Sequence, residues 1–302
     1  MRIGVDLGGT KIEAAALDRQ GGLAISRRLA TPAGDYAGTV EAVRQLVAEI
    51  EAVLGRRCTV GIGIPGSLSP ATGLVRNANS TWLIGRPFAR DVARALGRPV
   101  KFANDANCFA LSEAIDGAAA GASPVFGVIL GTGVGGGIVI DRRVLTGANG
   151  IAGEWGHSAL PWPEDDERPG PPCYCGKRGC VETFLSGPAL AQDHRRATGE
   201  ALDAAAIAAR AEAGDAAAAA SLGRYEARLA RGLAAVINLL DPAVIVLGGG
   251  LSRIGRLYER VPLLWGAHVF SDTIATRLVP PRHGDASGVR GAAWLWEPEE
   301  AP

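Results

Sequence analysis

The sequence predicts an α/β protein built from two related halves. Short apolar strands alternate with helical stretches along the whole chain. The strand, glycine turn, strand layout of residues 3–17 returns at residues 125–140. The 302 residues also exceed what one core comfortably holds, since single cores stop growing at about 250–300 residues.

Ile3, Val5 and Leu7 alternate with Gly4 and Asp6, which is a strand pattern. Gly8-Gly9-Thr10 breaks it, Ile12 to Leu17 returns, and Gly21-Gly22 turns the chain into Ala24 to Leu29. Val43, Leu46, Val47, Ile50, Val53 and Leu54 recur at helical spacing. Val60 to Ile64 is a strand ended by Pro65-Gly66, and Val100 to Ala103 is another, running into a helix over Ala106 to Ala118. Val125 to Leu130 and Val134 to Ile140 flank Gly131-Thr132-Gly133. Pro161 to Pro172 is a loop rich in proline and acids. Ala201 to Ala213 and Asp215 to Leu240 are alanine-rich helices, the second stopped by Asp241-Pro242. Val244 to Leu247 is a strand ended by Gly248-Gly249-Gly250. A last helix runs from about Ala286 to Trp296, where Gly288, Gly291 and Ala292 permit close backbone packing.

Apolar residues are 47% of the chain and charged residues 21%, so a sizeable core is available and disorder is disfavoured. Lys and Arg number 31, as do Asp and Glu. A net charge of zero argues against a nucleic-acid partner held by bulk positive charge. Residues 117–140 carry no charge, but eight glycines and Pro124 suit strands and turns better than a membrane span. The opening residues lack the basic and apolar regions of a signal peptide. The expectation is a soluble, cytoplasmic protein without a membrane partner.

Five segments have residues suited to chemistry. In Asp6-Leu7-Gly8-Gly9-Thr10-Lys11 a glycine turn exposes backbone N–H groups to phosphate oxygens, Lys11 adds charge, and Asp6 suits a magnesium ion. An ordinary hairpin turn is the plainer reading. Gly131-Thr132-Gly133-Val134-Gly135-Gly136-Gly137 contains G-x-G-x-x-G, but the β-favouring Ile138-Val139-Ile140 follows where a dinucleotide fold needs a helix. A second phosphate hairpin fits better. Cys173, Cys175 and Cys180 lie 16 residues and more beyond His157. Three thiolates and an imidazole make a closed structural zinc site, which holds a loop and does not activate water. Glu154, His157 and Glu182 surround that loop and suit sugar hydroxyls, although exposed glutamates are most often solvated surface acids. Asp105 in Asn104-Asp105-Ala106-Asn107 stands at a strand end before a helix. It is either a general base or, with Asn104, a candidate helix cap.

Together these motifs resemble the ROK family of sugar kinases and repressors. The carriers are residues 6–11, Gly63-Ile64-Pro65-Gly66, residues 104–107 and 131–135, Glu154-Trp155-Gly156-His157, the cysteine motif through Glu182, and Leu247-Gly248-Gly249-Gly250. Within the family, residues 64–70, 77–83 and 283–294 look like bacterial fructokinases, also called manno(fructo)kinases. The resemblance implies an actin-like (ribonuclease H-like) duplicated ATPase fold, with two lobes around a central cleft and a zinc-stapled loop. One lobe would comprise residues 1–118 completed by a C-terminal helix at about 286–297, the other residues 119–285.

It also implies an ATP-dependent kinase acting on the 6-hydroxyl of fructose, with mannose and glucose as further acceptors. Glucokinase and N-acetylhexosamine kinase activities are the alternatives, and a non-catalytic sugar sensor is the reading from another class. ATP and Mg2+ would be held by Asp6, Gly8, Gly9, Thr10, Lys11, Gly131, Thr132, Gly133 and Gly135, with Gly248, Gly249 and Gly250 near the adenosine. Gly66, Asn79, Asn104, Asp105, Glu154, His157 and Glu182 would bind the sugar, Asp105 being the base. His157, Cys173, Cys175 and Cys180 would hold structural Zn2+. Family repressors carry a DNA-binding segment ahead of the first strand, so a kinase without nucleic-acid partners is expected here, as a homodimer.

Overall fold

The structure, a computed structural model, describes residues 1–297. Two compact units divide the chain. The first comprises Met1–Gly121, Gly137–Ala152 and a last piece beginning at His283; the second comprises Ala122–Gly136 and Gly153–Arg282.

In the first unit, β1 (Arg2–Leu7), β2 (Lys11–Leu17) and β3 (Leu23–Ala30) form an antiparallel meander. Helix α1 (Tyr36–Leu54) carries the chain to β4 (Thr59–Ile64), which pairs parallel to β1. The short strands β5 (Ser67–Leu68) and β6 (Val75–Arg76) pair with each other. Helix α2 (Phe88–Leu96) precedes β7 (Lys101–Asn104), which lies parallel to β4 and runs directly into α3 (Asp105–Ile115). The sheet order is β3-β2-β1-β4-β7.

The chain then forms β8 (Val125–Leu130), β9 (Val134–Ile140) and β10 (Arg143–Val144). Helices α4 (Glu182–Leu185), α5 (Gly187–Thr198), α6 (Ala204–Glu212) and α7 (Ala216–Leu240) lead to β11 (Val244–Gly248). Helix α8 (Leu257–Trp265) and β12 (Arg277–Val279) complete the second unit, and α9 (Ser287–Trp294) belongs to the first. The second sheet has the order β10-β9-β8-β11-β12, with β11 parallel to both β8 and β12. Each sheet thus places its third, second, first, fourth and fifth strands in that order. This is the duplicated topology of the actin-like fold, and it explains the repeated strand–glycine–strand pattern.

The apolar face of α1 supplies Val43, Leu46, Val47 and Ile50 to a core shared with Ile3, Val5, Val60 and Ile62. Fully burying such a side chain contributes about 1.5–3 kcal/mol. Asp35 caps α1 by accepting the Gly38 N–H at 2.9 Å, and Gly55 ends it at φ 64°.

Some boundaries differ from the sequence expectations for local reasons. The helix anticipated from Ala201 starts at Ala204, because Asp203 accepts the Ala206 N–H and fixes the N-terminus. The helix anticipated through Ala118 ends at Ile115, and the Glu113 carboxylate accepts the Ala118 N–H at 2.8 Å as the chain turns away. The last helix is shorter than the expected 286–296, with one 3-10 turn before it. Helices α2, α5 and α8 and strand β12 were not anticipated. Pro87 at the start of α2, Pro188 within α5 and Pro262 inside α8 lie where a sequence reading expects breaks.

Helix α9 closes the first unit although it comes last in the chain. A Cβ on Gly291 would lie 1.7 Å from the Cys108 carbonyl oxygen of α3, and one on Gly61 of β4 would lie 1.9 Å from the Ala292 oxygen. Only backbone fits at these crossings. Polar contacts fasten the same helix. Buried Glu113 accepts the Ser287 hydroxyl at 2.8 Å, and Asp116 accepts His283 Nε2 at 3.1 Å and Trp294 Nε1 at 3.2 Å as well as Arg290. Gly291→Ala is therefore expected to destabilise the protein by about 1–3 kcal/mol or more, read by urea unfolding. A Gly85→Ala control in an open turn at φ 74° is expected to cost less.

Candidate active site

The first unit gathers Asp6, the 8–11 turn, Gly66, Asn79, Asn104 and Asp105 at the carboxyl ends of its parallel strands. Asp6 is near the end of β1, and Asn104 ends β7. The Gly8 N–H donates to the Lys11 carbonyl at 3.0 Å, closing the turn between β1 and β2. Thr31, just past β3, braces this turn. Its hydroxyl donates to the Gly8 carbonyl at 2.7 Å and its N–H to the Thr10 carbonyl at 3.0 Å. Gly8 and Gly9 place no side chain over the turn, and Gly9 and Thr10 are exposed.

Asn104 is the N-cap of α3, accepting the Ala106 N–H at 2.9 Å; Asp105 Oδ1 accepts the same N–H at 2.8 Å. The two residues thus share one donor, and Asn104 occupies the cap position. Asn104 Nδ2 also donates to the Gly66 carbonyl at 3.2 Å, and the Asn79 N–H donates to the Pro65 carbonyl at 3.2 Å. Gly66 stands at φ 150° with Ala78 against it, a position at which any side chain would clash. The Asp6 carboxyl is pushed up to about 6, first by burial and then by the charge of Asp105. Gly288 of α9 leaves room for it: a Cβ there would approach Asp6 Oδ2 to 2.9 Å.

The second unit holds the other glycine hairpin. The Gly131 N–H donates to the Gly133 carbonyl at 3.0 Å, and the Gly187 N–H to the Gly131 carbonyl at 2.8 Å. Glu182 Oε2 accepts the Val134 N–H at 2.9 Å, so this acid anchors the hairpin. Trp155 does the same from the other side, donating from Nε1 to the Gly135 carbonyl at 3.0 Å while its ring packs edge-on to Phe126. β9 follows the glycines, as the rejection of a dinucleotide fold required. Beside Thr132 and Gly250 lies a cavity of about 760 Å³ walled by Pro188, Leu251, Ala205 and Ala208. Gly249 sits at φ 79° against the Leu130 backbone, and Gly250 opens a 3-10 turn at the cavity wall. An apolar slot of this size next to exposed backbone N–H groups suits a flat heterocycle joined to phosphates.

His157, Cys173, Cys175 and Cys180 converge in the second unit, their ligand atoms all within 4.8 Å of one another. Cys173 Sγ lies 3.5 Å from His157 Nδ1, and Cys175 Sγ lies 3.6 Å from Cys180 Sγ. Sulfur ligands about 2.3 Å from a tetrahedral zinc stand about 3.8 Å apart. The donor set and its spacing therefore fit zinc. Burial pushes the Cys180 thiol upward, and the neighbouring Cys175 and Cys173 add to this. A metal must displace protons from this cluster, so its affinity rises with pH. His157 Nε2 is engaged by the Tyr174 hydroxyl at 2.9 Å. Glu154 immediately precedes the 3-10 turn of Trp155–His157 and is exposed.

A buried charge network holds the same loop from its other end. Glu167 accepts Arg228 Nε at 2.7 Å and both oxygens accept Arg231 Nη2, at 2.8 and 2.7 Å. Composition alone marks α7 as alanine-rich and gives no hint that Arg228 and Arg231 point inward. Thr31 and Tyr174 are equally invisible in the sequence, because their partners lie 17 to 23 residues away.

Metal removal should loosen the loop between residues 153 and 182. Wild-type protein is expected to carry one metal equivalent per chain by mass spectrometry. Cys175→Ser is expected to lose it and become sensitive to limited proteolysis between Pro161 and Cys180. A Cys58→Ser control, at a buried thiol outside the cluster, is expected to retain the metal.

The ROK family model matches residues 2–299. The chain is 41% identical over 299 residues to an N-acetyl-D-glucosamine kinase of Vibrio cholerae serotype O1, covering 98% of this chain and 99% of that protein. Among solved structures, the ROK hexokinase of Thermus thermophilus superposes with a TM-score of 0.87 at 32% identity, covering 99% of this chain and 98% of that one. A ROK family glucokinase from Streptomyces griseus, in complex with glucose and AMPPNP, gives a TM-score of 0.77 at 31% identity over 97% of this chain and 98% of its own. No helix among the described residues is long and apolar enough to cross a membrane. Full-length similarity at this level, on a catalytic kinase fold with both glycine hairpins present, makes this chain a phosphotransferase of the ROK family.

Proposed function

We propose that this protein is an ATP-dependent N-acetyl-D-glucosamine kinase that phosphorylates the 6-hydroxyl of the sugar. The observation that carries the acceptor is the 41% identity, across nearly the whole of both chains, to a kinase named for that sugar. The fructose preference expected from residues 64–83 has no comparable support. Glucose is the second reading, favoured by the hexokinase and glucokinase likeness at 32% and 31% identity.

We assign the phosphates of ATP to the N–H groups of the 8–11 and 131–135 turns, and the adenosine to the alanine-walled cavity beside Gly249 and Gly250. Asp6 is the assigned anchor for Mg2+, which when bound neutralises charge on the transferring phosphoryl group. A carboxyl held near 6 by burial and a neighbouring anion gains from a cation beside it. Asp105 is the assigned base. Its Oδ1 is oriented by the first turn of α3, and it takes the proton of the sugar hydroxyl as that oxygen attacks the γ-phosphorus. Asn79, Asn104 and Gly66 hold the acceptor from the first unit. Glu154 and Glu182 are assigned to sugar recognition from the second. Glu182 also fixes the hairpin through the Val134 N–H, so its loss would affect ATP and sugar together. Zinc is the metal assigned to His157 and the three cysteines, with a structural role.

The test is ATP-dependent turnover of N-acetylglucosamine, glucose, mannose and fructose by wild type and Asp105→Asn. N-acetylglucosamine is expected to have the highest kcat/KM. Asp105→Asn is expected to lower kcat by about 10²–10⁴-fold, with sugar binding changed far less. A higher kcat/KM for glucose would replace the first reading with the second. Near-normal turnover in Asp105→Asn would remove Asp105 as base.

A further inference from the structure

The second unit contains another cavity, of about 470 Å³, that does not include any residue assigned to the reaction. Its walls are of two kinds. Phe184 and Pro171 form an apolar side, and Arg195, Arg196 and Arg228 form a cationic side around Asp193.

The charges do not balance. Asp193 Oδ1 accepts Arg196 at 3.0 Å and Arg228 at 2.9 Å, while Oδ2 accepts Arg224 Nε at 2.9 Å and Nη2 at 2.6 Å. Arg228 also bonds Glu167, which Arg231 shares with Glu164. Arg195 forms no ion pair among the described residues. Four arginines therefore share three carboxylates, of which Glu164 is exposed, and Arg195 adds a fifth cation at the rim. Arg228 has a side chain only 4% exposed and lines the cavity, with Nε and Nη1 bonded but no hydrogen-bond partner for Nη2 among the described residues. A surplus of buried and rim guanidinium groups calls for a multivalent anion, and planar N–H pairs favour phosphate. The volume exceeds what phosphate alone requires and falls in the range of small-molecule sites, about 300–1,000 Å³. Phe184 is buried with the Arg228 guanidinium over its ring at 5.4 Å from the centroid, so it fixes Arg228 at the wall, and Pro171 is the apolar surface that suits the C–H face of a sugar ring.

We propose that this cavity is a regulatory site for a sugar phosphate. The phosphate engages Arg195, Arg196 and Arg228, and the ring lies toward Pro171. The site connects to the reaction through short covalent paths. Phe184 stands in the same helical turn as Glu182, which anchors the 131–135 hairpin, and Pro171 is two residues from Cys173 of the metal cluster. The source of the ligand rests on the sugar-kinase reading, whose product is a sugar phosphate; the site itself does not.

Isothermal titration calorimetry on the metal-loaded, full-length protein tests this. The active site is first saturated with N-acetylglucosamine and AMPPNP, and the probes are N-acetylglucosamine 6-phosphate, glucose 6-phosphate and inorganic phosphate. At least one sugar phosphate is expected to bind with one equivalent, at least tenfold tighter than inorganic phosphate, and at least tenfold more weakly to Arg195→Ala/Arg196→Ala. That double variant is expected to keep wild-type kcat. Arg195→Glu, a single change at an exposed position, serves as the second variant should the double one fold poorly. No binding by any probe, or unchanged affinity in these variants, overturns the site. Equal affinity for inorganic phosphate overturns the sugar-phosphate assignment. Heat of binding needs no turnover, so the result stands even if N-acetylglucosamine proves a poor acceptor.

Discussion

Two carboxylates of the first unit, Asp6, which burial removes from water, and Asp105, which is exposed at the start of α3, lie close enough for the charge of one to raise the other. β1 delivers Asp6, and the β7–α3 junction delivers Asp105. Helix α9 packs directly on β1 at Gly4 and crosses β4 and α3 where Gly61 and Gly291 let backbone meet backbone. Gly288 of the same helix leaves the Asp6 carboxyl its space. Burying one carboxyl beside a like charge opposes folding, and such strain is common where an enzyme must accept a cation and a phosphate. Helix α9 thus packs against the segment that carries Asp6. This explains why unit one returns to residues beyond His283 for completion.

The second unit solves a different problem. Residues 153–182 contain little regular structure, yet Glu154, the metal cluster and Glu182 must be held in place. Besides the burial of Trp155, Leu160 and Val181, two devices do this: the three-thiol, one-imidazole cluster, and the Glu167 network to Arg228 and Arg231 on α7. Buried ion pairs are poor sources of net stability compared with apolar packing, but breaking one partner leaves an uncompensated charge costing about 3–5 kcal/mol. The network therefore specifies one loop position more than it adds stability. Trp155 links the same loop to the glycine hairpin through Gly135, so the hairpin and the metal loop are mechanically one object.

Much of the fold was legible in the sequence because strand alternation and glycine turns are local signals. Ile3-x-Val5-x-Leu7 and the apolar spacing of α1 read directly, and the two hairpins revealed the duplication. The cysteine spacing revealed the metal cluster, since few other arrangements of thiols and histidine make chemical sense. Proline hid α2, α5 and α8, because its helix-breaking reputation applies to interior positions and two of the three prolines lie at helix starts. The inward-facing arginines of α7 were illegible for a different reason. Their burial depends on Glu167 and Asp193, which come from segments about 35 to 64 residues away. The dual use of Glu182, with one oxygen on the Val134 N–H, is likewise a tertiary fact. Motif likeness at residues 64–83 pointed to fructose, whereas the whole-chain identity of 41% is to a kinase named for N-acetyl-D-glucosamine.

The coupling of Asp6 to Asp105 is directly measurable by 13C NMR titration of the side-chain carboxyls. With Asp6 raised from 3.8 to about 6 in the folded protein, folding takes up a proton there, and stability falls as pH rises from about 4 to about 6. The Asp6 resonance, assigned by its loss in Asp6→Asn, should titrate near 6 in the free protein. It should move toward the ordinary carboxyl range in Asp105→Asn, where the neighbouring charge is gone. A midpoint near 4 in both proteins would contradict the buried Asp6 carboxyl with a like-charged neighbour on which the proposed chemistry depends.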